Sequence, residues 1–212
     1  MVYQGQFGKF TITDADRQGV IVYRAGLVLA ALSFAIATAL LFWQGPAPWV
    51  LQVMTPLFGV FALGLGISLA TIHIYMGAPS SLAANFLGDR GAVCHYSGGA
   101  KSRTLALLVY HHPLTLLGIG FIFAALTGIY FKEAFCFNRL ETKLLTPLVP
   151  GLLLGHLLGL IPAGLERGLL AVWAVLFAMF ALRKVTQAIP PDIGDKSVFD
   201  YLKGKSDPAS LQ

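Results

Sequence analysis

The sequence predicts an all-α fold: a polytopic transmembrane helical bundle of five long helices, one irregular or re-entrant element and a small N-terminal β-hairpin. Only 12% of the 212 residues are charged, about half of the roughly 25% expected of a soluble domain. Five long runs lack Lys, Arg, Asp and Glu altogether. They are Ala25–Trp43, Trp49–Met76, Leu105–Phe131, Leu144–Ile161 and Gly168–Leu182. A bilayer core of about 30 Å needs about 20 apolar residues, and backbone groups in lipid must bond within their own helix.

The runs divide the chain into an N-terminal cytoplasmic segment (1–24), a membrane domain (25–184) and a cytoplasmic tail (185–212). Polarity alternates in Gln6–Thr13, turn formers follow, and Val20–Tyr23 is β-branched, which favours a hairpin. The alternative is a long first helix capped at Thr13 or Asp14. In the tail, Ile189–Lys196 is rich in turn formers, so we predict an extended segment there.

The positive charges constrain how the runs cross the membrane. If each run crosses once, the 15 Lys and Arg residues divide into seven and eight, without bias. If Leu105–Phe131 enters the membrane and returns to the same side, 14 of the Lys and Arg residues lie on one side and one lies on the other. The positive-inside rule strongly favours this second arrangement. Pro113 breaks that run, and Leu105–Tyr110 is too short to cross alone, so it is re-entrant or residues 79–104 contribute. Both termini are therefore predicted to be cytoplasmic.

The fourth run carries two candidate features. Gly151, Gly155 and Gly159 recur every fourth residue, which predicts one helix face packed closely against another helix. His156 lies in mid-membrane in this prediction, and intramembrane ionisable residues are functional candidates. Beside glycines, its imidazole has room to ligate a flat macrocycle such as chlorophyll or haem. The alternative for His156 is a hydrogen bond between helices.

The stretch from Phe131 to Glu141 mixes aromatic and charged residues, which is typical of a helix leaving the membrane through the headgroup layer. We predict either an interfacial anchor or a partner-binding surface there. The candidate partner-binding residues are Lys132, Glu133, Phe135, Cys136, Phe137 and Arg139.

Other functional classes find little support. His111 and His112 lack an evident third ligand, so no metal site is predicted. The chain has no HExxH, GxSxG or P-loop motif and no paired-acid constellation, so we predict no enzyme. The net charge of +5 is interpreted as topology signals and contacts with anionic lipid, not as nucleic-acid binding.

Six segments of the chain look familiar: Gln4–Phe7, Asp16–Arg24, His73–Met76, Gly128–Glu141, Gly155–His156 and Asp192–Phe199. They resemble an uncharacterised family of integral membrane proteins of cyanobacteria and chloroplasts, a domain-of-unknown-function family. The resemblance covers most of the chain except residues 77–112. It implies a photosynthetic organism and the thylakoid, or otherwise a bacterial inner membrane, but no established activity.

The sequence leaves three functional hypotheses. The first is an auxiliary or assembly factor for a photosynthetic membrane complex, with other membrane subunits as partners. The second is a small transporter or channel, and the third is a pigment- or haem-binding membrane protein with His156 as ligand.

Overall fold

The computed structural model describes residues 2–72, 105–112, 114–198 and 201. These residues form a helical bundle with a small two-stranded sheet, as predicted. The strands are β1 (Val2–Gln4) and β2 (Lys9–Thr11). The helices are α1 (Asp14–Gln44), α2 (Pro48–Ile72), α3 (Leu105–His111), α4 (Thr115–Phe137), α5 (Leu140–Leu157), α6 (Ala163–Thr186) and α7 (Pro190–Ile193).

The N-terminal hairpin is present, but its two strands are not the ones predicted. The strands pair antiparallel, with Tyr3 opposite Phe10, and the chain turns between them. The predicted second strand, Val20–Tyr23, is wrong, since these residues belong to α1. The alternative is correct: the Thr13 side chain accepts from the Asp16 N–H and the Asp16 carboxylate accepts from the Thr13 N–H. This reciprocal capping box starts the helix at Asp14, eleven residues before the apolar run begins.

The Leu105–Phe131 run is broken where Pro113 predicts a break, with α3 before it and α4 after it. The question of a re-entrant segment falls on residues 79–104, which lie outside the described residues.

In the tail, Pro190–Ile193 forms a single helical turn, so the extended conformation predicted for Ile189–Lys196 is wrong there. Proline is tolerated in a first helical turn because no N–H is needed at that position.

Four described helices, α1, α2, α4 and α6, are long and apolar enough to cross a membrane. The fifth long helix, α5, runs between the same two ends of the bundle, although its first turns carry Glu141 and Lys143. The start of α1 and the ends of α4 and α6 meet at one end, which we call the basic face. Both terminal segments, the hairpin and α7, also contact this end.

Nine of the ten Lys and Arg residues in the described part of the chain lie at the basic face, and Arg167 lies at the opposite end. The nine are Lys9, Arg17, Arg24, Lys132, Arg139, Lys143, Arg183, Lys184 and Lys196. This distribution within the fold agrees with the charge division that the sequence favours. Which side of a membrane the basic face occupies stays a prediction.

Helices α1 and α2 approach each other closely at glycines that were not predicted as packing residues. A Cβ built at Gly26 of α1 would lie 2.5 Å from the carbonyl oxygen of Gly64 on α2. One at Gly64 would lie 2.7 Å from the carbonyl oxygen of Gly26. The backbones of α1 and α2 therefore touch here, and the Ser68 hydroxyl donates to the Tyr23 carbonyl across the same contact.

The predicted glycine face of α5 is only partly correct. Gly155 is buried, and the side chain of Ile161 fills the space beside it. Gly151 and Gly159 are exposed and would meet nothing within 4 Å, so among the described residues they do not face another helix. Gly159, with φ +65°, instead ends α5: its N–H donates to the His156 carbonyl and the Leu160 N–H donates to the Gly155 carbonyl.

Aromatic side chains form the core between the helices. Phe34 of α1 packs on Trp173 of α6 with ring centroids 4.6 Å apart. Tyr130 of α4 lies edge-on to Phe177 and Phe180. This core separates the basic face from the opposite half of the bundle.

Candidate functional site

A buried charge cluster at the basic face joins four elements. It consists of Arg24 (α1), Glu133 (α4), Lys184 (α6) and Asp192 (α7), and each side chain is at most 10% exposed. The Lys184 Nζ donates to Glu133 Oε2 at 2.7 Å and to Asp192 Oδ1 at 2.5 Å. Arg24 donates to Asp192 Oδ2 from Nε at 2.9 Å and from Nη2 at 2.7 Å. Two cations face two carboxylates, so the charge cluster is electrically balanced.

Further hydrogen bonds complete the coordination of these groups. The Arg24 guanidinium also donates to the carbonyls of Gln187 and Ala188, at 2.6 and 2.8 Å. The Tyr23 hydroxyl donates to Glu133 Oε1 at 3.2 Å. Buried ions are tolerated when their hydrogen-bonding groups are paired in this way. The charge cluster therefore acts as a polar joint that attaches the tail to the helix ends.

The hairpin and the tail form a second joint at the basic face. The Gln6 N–H donates to Asp195 Oδ2 at 2.6 Å, and the Ser197 hydroxyl donates to Asp195 Oδ1 at 2.6 Å. These bonds hold the pKa of Asp195 below its usual value, and the bond from the Ser197 hydroxyl has the largest effect. Gly5 is needed because a Cβ there would overlap the side chains of Asp195 and Ser197.

The six predicted partner-binding residues separate into two groups. Phe135 is 82% exposed and Cys136 is also exposed, so both are available to a partner. Glu133 is fully buried in the charge cluster, so its place on a partner surface is contradicted. Phe137 and Arg139 are half-buried.

The half-buried residues are engaged within the protein. The Phe137 ring lies under Lys184 Nζ, 4.3 Å from it, and 5.6 Å from the Arg139 guanidinium carbon. Arg139 Nη2 donates to Gln187 Oε1 at 2.7 Å. Lys132 is 31% exposed and lies 3.4 Å from Glu133 Oε1. Only the Phe135 side of this stretch therefore presents a free surface.

The opposite half of the bundle encloses a cavity of about 800 Å³ among the described residues. Its walls come from α1 to α6 and are mostly apolar. The aromatic side chains in its wall are Phe34, Phe42, Phe58, Phe61, Tyr110, Phe123 and Trp173. This volume lies within the range of cofactor and ligand sites, about 300–1,000 Å³.

The polar side chains of the cavity wall cluster where α5 ends and α6 begins. His156 Nδ1 lies 2.8 Å from Glu166 Oε1, and the two side chains are 20% and 16% exposed. The Tyr110 ring packs near the imidazole, with centroids 5.3 Å apart. Because Nδ1 is occupied by the carboxylate, Nε2 is the nitrogen left to bind a ligand. A histidine that ligates a metal through one ring nitrogen commonly hydrogen-bonds a carboxylate through the other.

His156 is therefore placed differently from the prediction. It lies in the last turn of α5, near the end of the bundle, and not in mid-membrane, because the helix stops at Leu157. The space beside Gly155, predicted to admit a macrocycle, is filled by Ile161. The cavity provides the room that the glycine face does not.

Groups of three or more His, Cys, Asp or Glu residues arranged for a metal ion are absent from the described residues. The side chain of His111 is not described, and that of His112 is exposed. In the cavity wall, His156 is the imidazole that would supply a ligand to a metal held there.

A family model of uncharacterised integral membrane proteins, DUF2301, matches residues 67–201, about two thirds of the chain. The chain belongs to this family. The match runs through residues 77–112, which the resemblance noted from the sequence excluded. Neither a curated protein nor a solved structure matches the chain. The family places the chain in a membrane and in contact with lipid, in agreement with its apolar helices.

Proposed function

We propose that this protein is a non-enzymatic membrane protein that holds a metal-bearing ring cofactor, of the haem or chlorophyll kind, in the cavity beside His156. The observation that carries the proposal is the His156–Glu166 pair in the wall of an apolar cavity. The carboxylate fixes the imidazole by Nδ1, and Nε2 would be the nitrogen that binds the metal of the cofactor. The aromatic walls suit a flat apolar ring.

An absorption spectrum of the protein purified in mild detergent tests the proposal. We expect a ring-cofactor band that His156→Ala removes and that Glu166→Gln weakens, with affinity falling about 10–100-fold. His112→Ala is the matched control, because His112 is exposed outside the cavity wall, and it should retain the band. A protein that carries no ring cofactor and binds none when haem or chlorophyll is added would contradict the proposal.

We further propose that the protein serves as an auxiliary or assembly factor of a photosynthetic membrane complex, in the thylakoid or a bacterial inner membrane, with both termini cytoplasmic. The resemblance supports the setting, and the position of nine described cations at the basic face supports the orientation. The 82% exposed ring of Phe135 offers a partner-binding anchor there.

Co-purification tests the auxiliary role. Phe135→Ser should lose associated membrane subunits, while Val2→Ser, which alters a residue of similar exposure on the terminal strand, should keep them. Retention of every partner by Phe135→Ser would leave Phe135 as an interfacial anchor only.

A further inference from the structure

Arg167 stands apart from the other cations of the described chain. Among the described residues, it is the one Lys or Arg at the end of the bundle opposite the basic face, and it lies in the cavity wall. Its neighbour Glu166 makes no ion pair with it, since that carboxylate lies 2.8 Å from His156 Nδ1. Among the described residues, the Arg167 side chain has no ion pair or side-chain hydrogen bond.

The cavity gives this cation a distinctive setting. Most of the wall is apolar, and the polar groups occur together at the junction of α5 and α6. From Arg167 to Trp173, α6 rises about 9 Å, so the cation lies at the outer part of the wall and the aromatic residues lie deeper. The Arg167 side chain is exposed and also lines the cavity, so its guanidinium can donate charge-assisted hydrogen bonds to an acid group at the outer edge of a ring held there.

We infer that the ring cofactor carries free acid groups and that Arg167 binds one of them. The inference rests on the proposed function and specifies the class of its ligand. Arg167 would hold the acidic edge of the ring, His156 would ligate its metal, and Trp173 would contact its apolar part. A ring whose acid groups are all esterified lacks the group that Arg167 recognises.

A matched pair of probes separates the acid from the ring. Iron protoporphyrin and its dimethyl ester share one macrocycle and one metal, and they differ in the two acid groups. Each is titrated into the purified, cofactor-free full-length protein in detergent, and binding is followed by the shift of the main ring band. We expect the free acid to bind about tenfold more tightly than the ester, as one charge-assisted hydrogen bond predicts.

The variants assign the preference to one residue. Arg167→Gln should remove the difference between acid and ester, and Arg167→Lys should keep most of it because the charge remains. Arg183→Gln is the control, since its side chain is 55% exposed and pairs with Glu141 at the basic face. It should bind both probes as the unchanged protein does.

The outcomes of this experiment distinguish the two proposals. If acid and ester bind equally, with a spectrum that His156→Ala abolishes, the inference about Arg167 fails and the ring-cofactor proposal stands. Equal binding is also the result expected if Arg167 contacts only lipid headgroups. If neither probe gives a His156-dependent spectrum, the proposed function itself fails. If Arg167→Gln does not fold, equal binding of acid and ester by the unchanged protein still overturns the inference, and Arg167→Ala and Arg167→Lys replace Arg167→Gln in assigning a difference to this residue.

Discussion

Replacement of Lys184 with methionine is expected to destabilise the protein strongly. The Lys184 ammonium is fully buried and bonds two carboxylates, Glu133 at 2.7 Å and Asp192 at 2.5 Å. Methionine fills a similar volume but leaves Glu133 with only the partly exposed Lys132 at 3.4 Å, and one oxygen of Asp192 without its cation. Removal of one partner from a buried ion pair costs about 3–5 kcal/mol, because the remaining charge stays desolvated. We expect a loss of this size in the free energy of unfolding.

Lys132→Met is the matched control for this prediction. Lys132 approaches the same carboxylate, Glu133, at 3.4 Å, but its side chain is 31% exposed. An ion pair in contact with solvent contributes only about 0–1 kcal/mol. Equilibrium unfolding in mixed micelles, followed by circular dichroism, compares the two variants.

A double-mutant cycle identifies the origin of the effect. Lys184→Met combined with Glu133→Leu replaces both members of the pair with apolar groups and should cost less than Lys184→Met alone. If Lys184→Met destabilises the protein no more than Lys132→Met, burial of the charge cluster does not govern stability and the reasoning is refuted.

Two further predictions concern helix contact and the terminal joint. Gly26→Ala should lower the free energy of unfolding by about 1–3 kcal/mol, because the new methyl group must separate α1 from α2. Gly59→Ala, where a Cβ meets nothing within 4 Å, should cost nothing; equal melting temperatures for the two variants would contradict the close contact. The pKa of Asp195 is lowered by its bonds from Ser197 and Gln6, so attachment of the hairpin is present above the unfolded pKa of about 4 and lost as pH falls through the folded pKa. The amide chemical shift of Gln6 should follow this titration, and a pH-independent shift would show that the carboxylate does not hold the hairpin.

The helices could be predicted because their signals are local. Long apolar runs, the break at Pro113 and the Thr13–Asp16 capping pair each act within a few residues of the chain. The strand predicted at Val20–Tyr23 is wrong because the capping pair of Thr13 and Asp16 has already started a helix. The β-branched residues that suggested a strand lie inside this helix. The contact of Gly26 and Gly64 had a usable signal, since each has a second small residue four positions later.

The candidate site was less accessible from the sequence. The members of the charge cluster are up to 168 residues apart, and each one alone is indistinguishable from a topology signal beside an apolar run. His156 was identified from its position among glycines, but Glu166 was not, because the turn after Leu157 brings the two together. In the sequence, Arg167 is the single cation on the minority side of the 14-to-one division of Lys and Arg residues. Only the three-dimensional fold places it in the cavity wall.

The position of Asp192 has a consequence for the order in which the chain can mature. Arg24 is synthesised with the first helix. Its carboxylate partner, Asp192, follows 168 residues later, beyond the last long helix. During synthesis, Arg24 must therefore remain hydrated or be shielded by other molecules until Asp192 emerges, whereas Lys184 can pair with Glu133, which precedes it in the chain. Closure of the charge cluster is a late event in biogenesis, and a nascent chain that stops before Asp192 has all its long helices but keeps an unneutralised cation at their junction.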